Sequence, residues 1–413
     1  MSNATRILVA LIIGLGLGLL ASSFAPGFAT GAANIADPVG ALWLNGLRMT
    51  IVPLVVALLI TGIAQTAEAA RAGAVAGRAM LWIVCVMSFS AILGAVLMPT
   101  FLALVPMPVA AADALKGALT TTGTVTPPPP FVDFVKSIVP TNPLAAATSD
   151  AILPLLVFTL VFAFAITRLP AEPRALLSRF FSAIADAMVI VIDWVLRLAP
   201  IGVFALAFVV GARSGLAALG ALFHYVATVA SVGIVISLIA YLVAVFAARW
   251  RFGDYVKAIA PVQALAISTQ SSLACLPIML NKSQGLGVQP ATAEITLPMA
   301  VALLRATGPA MNLAVALYVA NWFGVHLTAA QYAVAIFAAV LTSMGAVSLP
   351  GQVSFVTSIG PLCLILGVPV EPLALLIAVE TLPDIFRTLG NVMWDVAVTG
   401  AVARQTRTMG EAA

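Results

Sequence analysis

The sequence predicts an all-α polytopic membrane protein with eight transmembrane helices and two re-entrant helical hairpins arranged as inverted repeats. Three observations lead there. Of 413 residues, 62% are hydrophobic and only 8% are charged, where a soluble protein carries roughly 25% charged residues. The runs 7–36, 79–112, 214–248 and 306–370 contain no Asp, Glu, Lys or Arg. A helix crosses a bilayer with roughly 20 apolar residues, so each run is long enough and 306–370 is long enough for more than one crossing. Finally, two apolar segments near the C-terminus are broken in the middle by small polar residues, Gly and Pro.

The elements follow in order. Residues 6–25 form an apolar Gly/Leu-rich helix after Arg6. The alternative is a cleaved signal peptide, but no small-residue cleavage site follows the run. A second span, 40–66, contains Arg48 and Pro53, and a third runs 79–105. Residues 107–142 differ in composition: Thr120–Thr126 is followed by Pro127–Pro130, which reads as a flexible or polyproline outer loop. Spans four to six are expected at 143–168, 180–211 and 218–248. Basic residues gather at Arg71 and Arg78, at Arg168, Arg174 and Arg179, and at Arg249, Arg251 and Lys257. The expected outer loops near 26–37 and 212–217 hold only Arg213. The positive-inside rule then places both termini in the cytoplasm. The net charge of +4 is spread over these short loops and does not argue for nucleic acid. Cys85, Cys275 and Cys363 lie in apolar sequence, so no disulfide framework is expected.

The second half defeats simple helix counting. Residues 256–290 contain Ser268-Thr-Gln-Ser-Ser272 and Pro277, and residues 333–368 contain Ser343-Met-Gly-Ala-Val-Ser-Leu-Pro-Gly351. Non-helical backbone survives at membrane depth only where it is buried in protein or lines a cavity. Two such broken segments in corresponding places point to a transporter binding site. The order is therefore hairpin, helix 291–324, hairpin, helix 371–405, with the two units of opposite orientation in the bilayer.

The last helix carries the chemistry. Asp384, Arg387, Asn391 and Asp395 are spaced three, four and four residues apart, which puts them on one helical stripe with Glu380. In a membrane protein such a stripe faces protein or a watery cavity and is the default functional site. A guanidinium offers a two-pronged fork to a carboxylate. Equally, Arg387 could pair internally with Glu380 or Asp384. A carboxylate without a partner in the membrane needs a cation or a proton, which applies to Asp395.

This order and these motifs resemble the dicarboxylate/amino acid:cation symporter family. Ser271-Ser272 with Leu276-Pro277 looks like its first hairpin, Ser343 to Gly351 like its second hairpin tip, and Asp384, Arg387, Thr388, Asn391 and Asp395 like its last-helix pattern. The resemblance implies that Arg387 binds a distal carboxylate, that Asp384 binds an α-amino group, and that Thr388, Ser271 and Ser272 add hydroxyl or backbone contacts. It implies that Val347 to Gly351 form a gate, and that Asp395, Asn391, Asn312 and Gly308 hold Na⁺. It further implies a homotrimer in the bacterial-type inner membrane, binding a small acidic substrate, with no cofactor beyond Na⁺ or H⁺ as coupling ion. In this scheme residues 1–255 scaffold the trimer and 256–405 form a transport core, leaving 406–413 as a cytoplasmic tail.

Several positions depart from the family. In Gly308-Pro-Ala-Met-Asn312-Leu-Ala-Val315 the family's aspartate position is Ala314 and its threonine is missing. Polar positions of the third helix are Val86 and Met87, and Arg305 is an added charge that supplies a fixed cation, snorkels, or pairs with Glu294. Gln270 stands where an arginine is sometimes found. Together these predict that one sodium site is lost and that coupling uses fewer Na⁺, or H⁺. An intramembrane enzyme is not expected, since Ser271 and Ser272 would need a basic partner and His224 and His326 stand alone in apolar sequence. A channel would fit the stripe less well than a stoichiometric site.

Overall fold

In a computed structural model of the chain, the described residues are 3–71, 73–107, 136, 138–149, 151–214, 217–345 and 351–410, and within them every regular element is a helix. The elements are α1 (Asn3–Phe24), α2 (Pro26–Arg48), α3 (Ile51–Arg71), α4 (Ala74–Leu104), α5 (Pro143–Thr148), α6 (Ile152–Arg168), α7 (Ala171–Arg197), α8 (Ala199–Ser214) and α9 (Ala217–Phe246). They continue as α10 (Phe252–Thr269), α11 (Ser272–Gly285), α12 (Pro290–Leu303), α13 (Gly308–Trp322), α14 (Ala329–Gly345), α15 (Gly351–Leu366), α16 (Glu371–Leu376) and α17 (Thr381–Gly410). Six stretches among the described residues are long and apolar enough to cross a membrane. The helix bearing the charged stripe is not among them, because its ionisable residues lower its hydropathy.

Several expected single spans are pairs of helices, and proline explains the breaks. Proline lacks the N–H that would bond the carbonyl four residues earlier, and its ring crowds that carbonyl. The breaks at Met49–Thr50, Leu198, Leu304–Thr307 and Ile377–Glu380 lie just upstream of Pro53, Pro200, Pro309 and Pro383. The expected outer loop near 26–37 is helical instead. Pro26 pre-sets the first turn of α2, and Ala25 alone joins it to α1. Of the expected loop 107–142, residues 108–135 and 137 lie outside the described residues.

α13 sits at the centre. Nearly every one of its residues is buried, as expected of a helix apolar on all faces. It packs on α4, α9, α14 and α15. The closest approach to α4 needs Gly94, where a Cβ would stand 2.6 Å from Ala310 Cα. α17 runs beside α9 and α12 and touches α10, α11 and α4. α10 packs on α11, and α14 on α15. On the other side of the molecule α1 packs on α8, α8 on α2, and α3 on α6 and α7.

Candidate functional site

The site forms where the start of α17 meets the break between α12 and α13. Pro383 is tolerated in the first turn of α17 because N–H groups there have no intrahelical partner. The backbone N–H of Asp384 donates to the carbonyl of Glu380 at 2.9 Å, so Glu380 stays on the stripe although it precedes the helix.

Arg387 is only 4% exposed, and Glu380 only 1%. Nη1 of Arg387 donates to Glu380 Oε1 at 2.5 Å and to Asp384 Oδ1 at 2.9 Å. The second oxygen of Glu380 accepts from the Tyr225 hydroxyl at 2.9 Å. The internal pairing left open in the sequence is therefore present. It uses one nitrogen: Nε and Nη2 of Arg387 are buried and have no hydrogen-bond partner among the described residues. Buried donors without acceptors are costly, and these two form one edge of the guanidinium fork. Tyr225 was not singled out from the sequence. A hydroxyl inside the apolar helix α9 needs a partner, and that requirement was the available signal.

Below this triad, the N–H of Thr307 donates to Asn391 Oδ1 at 3.0 Å. The Thr307 hydroxyl lies 2.8 Å from the same oxygen and 2.9 Å from the Arg387 carbonyl oxygen. Gly390 permits this approach, since a Cβ there would collide with Thr307 Cγ2 and Ser237 Oγ. Thr307 carried no sequence signal beyond its nearness to Pro309. Two residues before it, Arg305 has φ 35°, a left-handed conformation unusual for a residue with a side chain.

The residues expected to hold a cation lie on two helices, Gly308 and Asn312 on α13 and Asn391 and Asp395 on α17. Both carboxylate oxygens of Asp395 are buried without a hydrogen-bond partner among the described residues, and the residue is 1% exposed. Asn312 Nδ2 donates to Ser343 Oγ at 3.3 Å, and a Cβ on Gly308 would lie 3.5 Å from that oxygen, so α14 ends beside both. Asn391 Oδ1, an expected ligand, is engaged by Thr307. Among the described residues no three His, Cys, Asp or Glu side chains are placed to hold a metal ion together. The expected donors, one carboxylate with amide and carbonyl oxygens, would suit a hard monovalent cation better than a tightly held divalent one.

Thr388 is buried on the turn after Arg387. Ser271 caps α11, its hydroxyl accepting from the Ala274 N–H at 3.3 Å, and Gln270 closes α10 at φ 49°. Both Ser271 and Ser272 are half-buried, and among the described residues no hydrogen bond joins either to Arg387 or Asp384. Val347 lies outside the described residues, and Gly351 begins α15. Arg48 pairs with Glu371 at 3.1 Å, tying α2 to α16.

Comparison with known proteins converges on one group. The chain is 27% identical over 406 residues to the proton/glutamate-aspartate symporter of Escherichia coli (strain K12), covering 98% of this chain and 92% of that protein. It is 27% identical over 405 residues to the C4-dicarboxylate transport protein of Laribacter hongkongensis, with 97% and 88% covered. It is 28% identical over 397 residues to the proton/sodium-glutamate symport protein of Bacillus subtilis, with 94% and 89% covered. These names describe transporters, not enzymes. The model of the sodium:dicarboxylate symporter family matches residues 4–405, and the chain belongs to that family, as a multi-pass membrane symporter of small acidic substrates.

Proposed function

We propose that this symporter imports an acidic amino acid of the aspartate or glutamate type together with Na⁺, and that Arg387 is the residue that receives the substrate's side-chain carboxylate. The observation that carries this reading is the buried, unpartnered Nε–Nη2 edge of Arg387. Glu380 and Asp384 hold Nη1, which fixes the plane of the guanidinium and leaves the other edge as a fork for a carboxylate. The second oxygen of Asp384 would accept an ammonium, while Thr388, Ser271 and Ser272 would contact the rest of the substrate. Asp395, Asn391 and the carbonyl oxygens of Gly308 and Asn312 would take the cation, supported by the two unpartnered oxygens of Asp395.

The protein would act in the bacterial inner membrane with both termini in the cytoplasm. Residues 1–255 would form the scaffold of a homotrimer. Residues 256–405, with hairpins α10–α11 and α14–α15 in opposite orientation, would move as an elevator, and 406–413 would trail in the cytoplasm. A second reading, a C4-dicarboxylate substrate moved with H⁺, is favoured by one observation. Asp384 already accepts a bond from Arg387, which lowers its claim on an ammonium.

A binding assay on purified protein separates the two readings. Aspartate and succinate are titrated with and without Na⁺ at two pH values. Aspartate binding that requires Na⁺ supports the first reading, and succinate binding that strengthens at low pH without Na⁺ replaces it with the second. Saturable accumulation against a gradient in proteoliposomes distinguishes either from a channel.

A further inference from the structure

We infer that Arg305 is a tethered counter-cation of the transport site, occupying by charge the place of one movable coupling cation. The inference rests on the cation-coupled reading above and deepens it.

Arg305 lies in the break between α12 and α13, where its φ of 35° is left-handed. Such a conformation is strained for a residue with a side chain and persists when the surroundings demand it. Here the surroundings are explicit. The Arg305 carbonyl accepts from the Gly308 N–H at 2.8 Å, starting α13, and Thr307 is bonded to Asn391 and Arg387 on α17. The strained residue is thus pinned against the charged stripe. Its guanidinium interacts electrostatically with Arg387, Asp384 and Asp395. Asp395 in turn has both oxygens buried and without hydrogen bonds, so a positive charge nearby is its main compensation.

The charge balance gives Arg305 its consequence. With all five side chains ionised, Glu380, Asp384 and Asp395 against Arg387 and Arg305 give the site one net negative charge. An acidic amino acid adds one more. Neutralising the loaded site then takes two monovalent cations, and without Arg305 it would take three. Unneutralised charge inside a bilayer is costly, so the loaded site moves readily only near neutrality. A guanidinium fixed to the backbone supplies one positive charge on every cycle and carries no gradient energy.

The prediction concerns thermodynamics as well as rate. In proteoliposomes with the membrane voltage clamped by an ionophore, Arg305→Ala should couple one additional cation to each substrate. At a tenfold Na⁺ gradient each coupled ion multiplies the limiting accumulation ratio by about ten, so the variant should accumulate about tenfold more substrate at equilibrium. In purified protein the slope of log Kd against log [Na⁺] should steepen by one in Arg305→Ala and remain parental in Arg305→Lys. An unchanged slope and accumulation ratio in Arg305→Ala would overturn the inference. So would loss of binding at every Na⁺ concentration in Arg305→Ala with recovery in Arg305→Lys, because Arg305 would then be a direct substrate ligand. Loss in both would make it a structural guanidinium and would also overturn it. The parental protein is measured first: absence of cation-dependent acidic-substrate binding there rejects the proposed function itself, independently of Arg305.

Discussion

Replacing Arg387 by lysine separates the two tasks of its guanidinium. In the structure Nη1 satisfies Glu380 and Asp384, while Nε and Nη2 face no acceptor among the described residues. A lysine ammonium can stand near the position of Nη1 and keep both carboxylates paired, but it has no second edge. The substrate carboxylate would lose two charge-assisted hydrogen bonds, each worth about 1.5–3 kcal/mol, or about 3–6 kcal/mol together. At about 1.4 kcal/mol per factor of ten, that is a 10²- to 10⁴-fold rise in Kd. Arg387→Ala does more, because it strands two carboxylates, one of them only 1% exposed. Breaking a buried ion pair costs about 3–5 kcal/mol, so this variant should also melt earlier. Calorimetric titration of aspartate and succinate at saturating cation measures the first effect, and thermal unfolding in detergent without substrate measures the second. Arg387→Lys binding its substrate within tenfold of the parent would refute the assignment of the free edge. A melting temperature unchanged in Arg387→Ala would refute the pairing.

Three further outcomes follow from the same contacts. Tyr225→Phe keeps the ring against Tyr318 but removes the donor to Glu380, so it should cost about 1.5–3 kcal/mol in unfolding free energy. In a double-mutant cycle with Glu380→Gln the two changes should couple, and strict additivity would exclude the bond. Gly390→Ala forces a methyl into Thr307 and Ser237 and should destabilise by about 1–3 kcal/mol, which a lowered melting temperature reports. Asp395→Asn keeps the size of the side chain and removes its charge; the cation dependence of substrate binding should flatten by one order, and an unchanged slope would remove Asp395 from the cation site.

The helical membrane class and the charged stripe were legible in the sequence, because each depends on local pattern. Charge-free runs mark crossings, and a spacing of three, four and four puts Asp384, Arg387, Asn391 and Asp395 on one face whatever surrounds them. Helix breaks were harder to read. Pro53, Pro200, Pro309 and Pro383 interrupt helices, whereas Pro38, Pro99, Pro261, Pro277, Pro298 and Pro361 lie inside them. The residue type is the same, and tertiary packing decides whether the freed carbonyl finds another partner. Tyr225 and Thr307 were hidden for a related reason. Each is one hydroxyl in an apolar stretch, and its partner lies 155 or 84 residues away in sequence.

Thr307 also suggests how the two parts of the site communicate. Its hydroxyl touches both the Asn391 side chain and the Arg387 carbonyl, and its neighbour Arg305 carries the fixed charge. A cation that draws Asn391 Oδ1 into its shell must take that oxygen from Thr307. The break before α13 would then loosen, and with it the backbone that holds Arg305 against the stripe. Substrate at the free edge of Arg387 would act on the same stretch of α17. Coupling between two ligands is reciprocal, so whatever the cation contributes to substrate affinity the substrate returns to the cation. Thr307→Val, which keeps the N–H bond and deletes the hydroxyl, should therefore weaken the linkage more than either affinity alone. The readout is the ratio of cation affinities with and without substrate. If that ratio is the same in the variant and the parent, communication does not pass through Thr307.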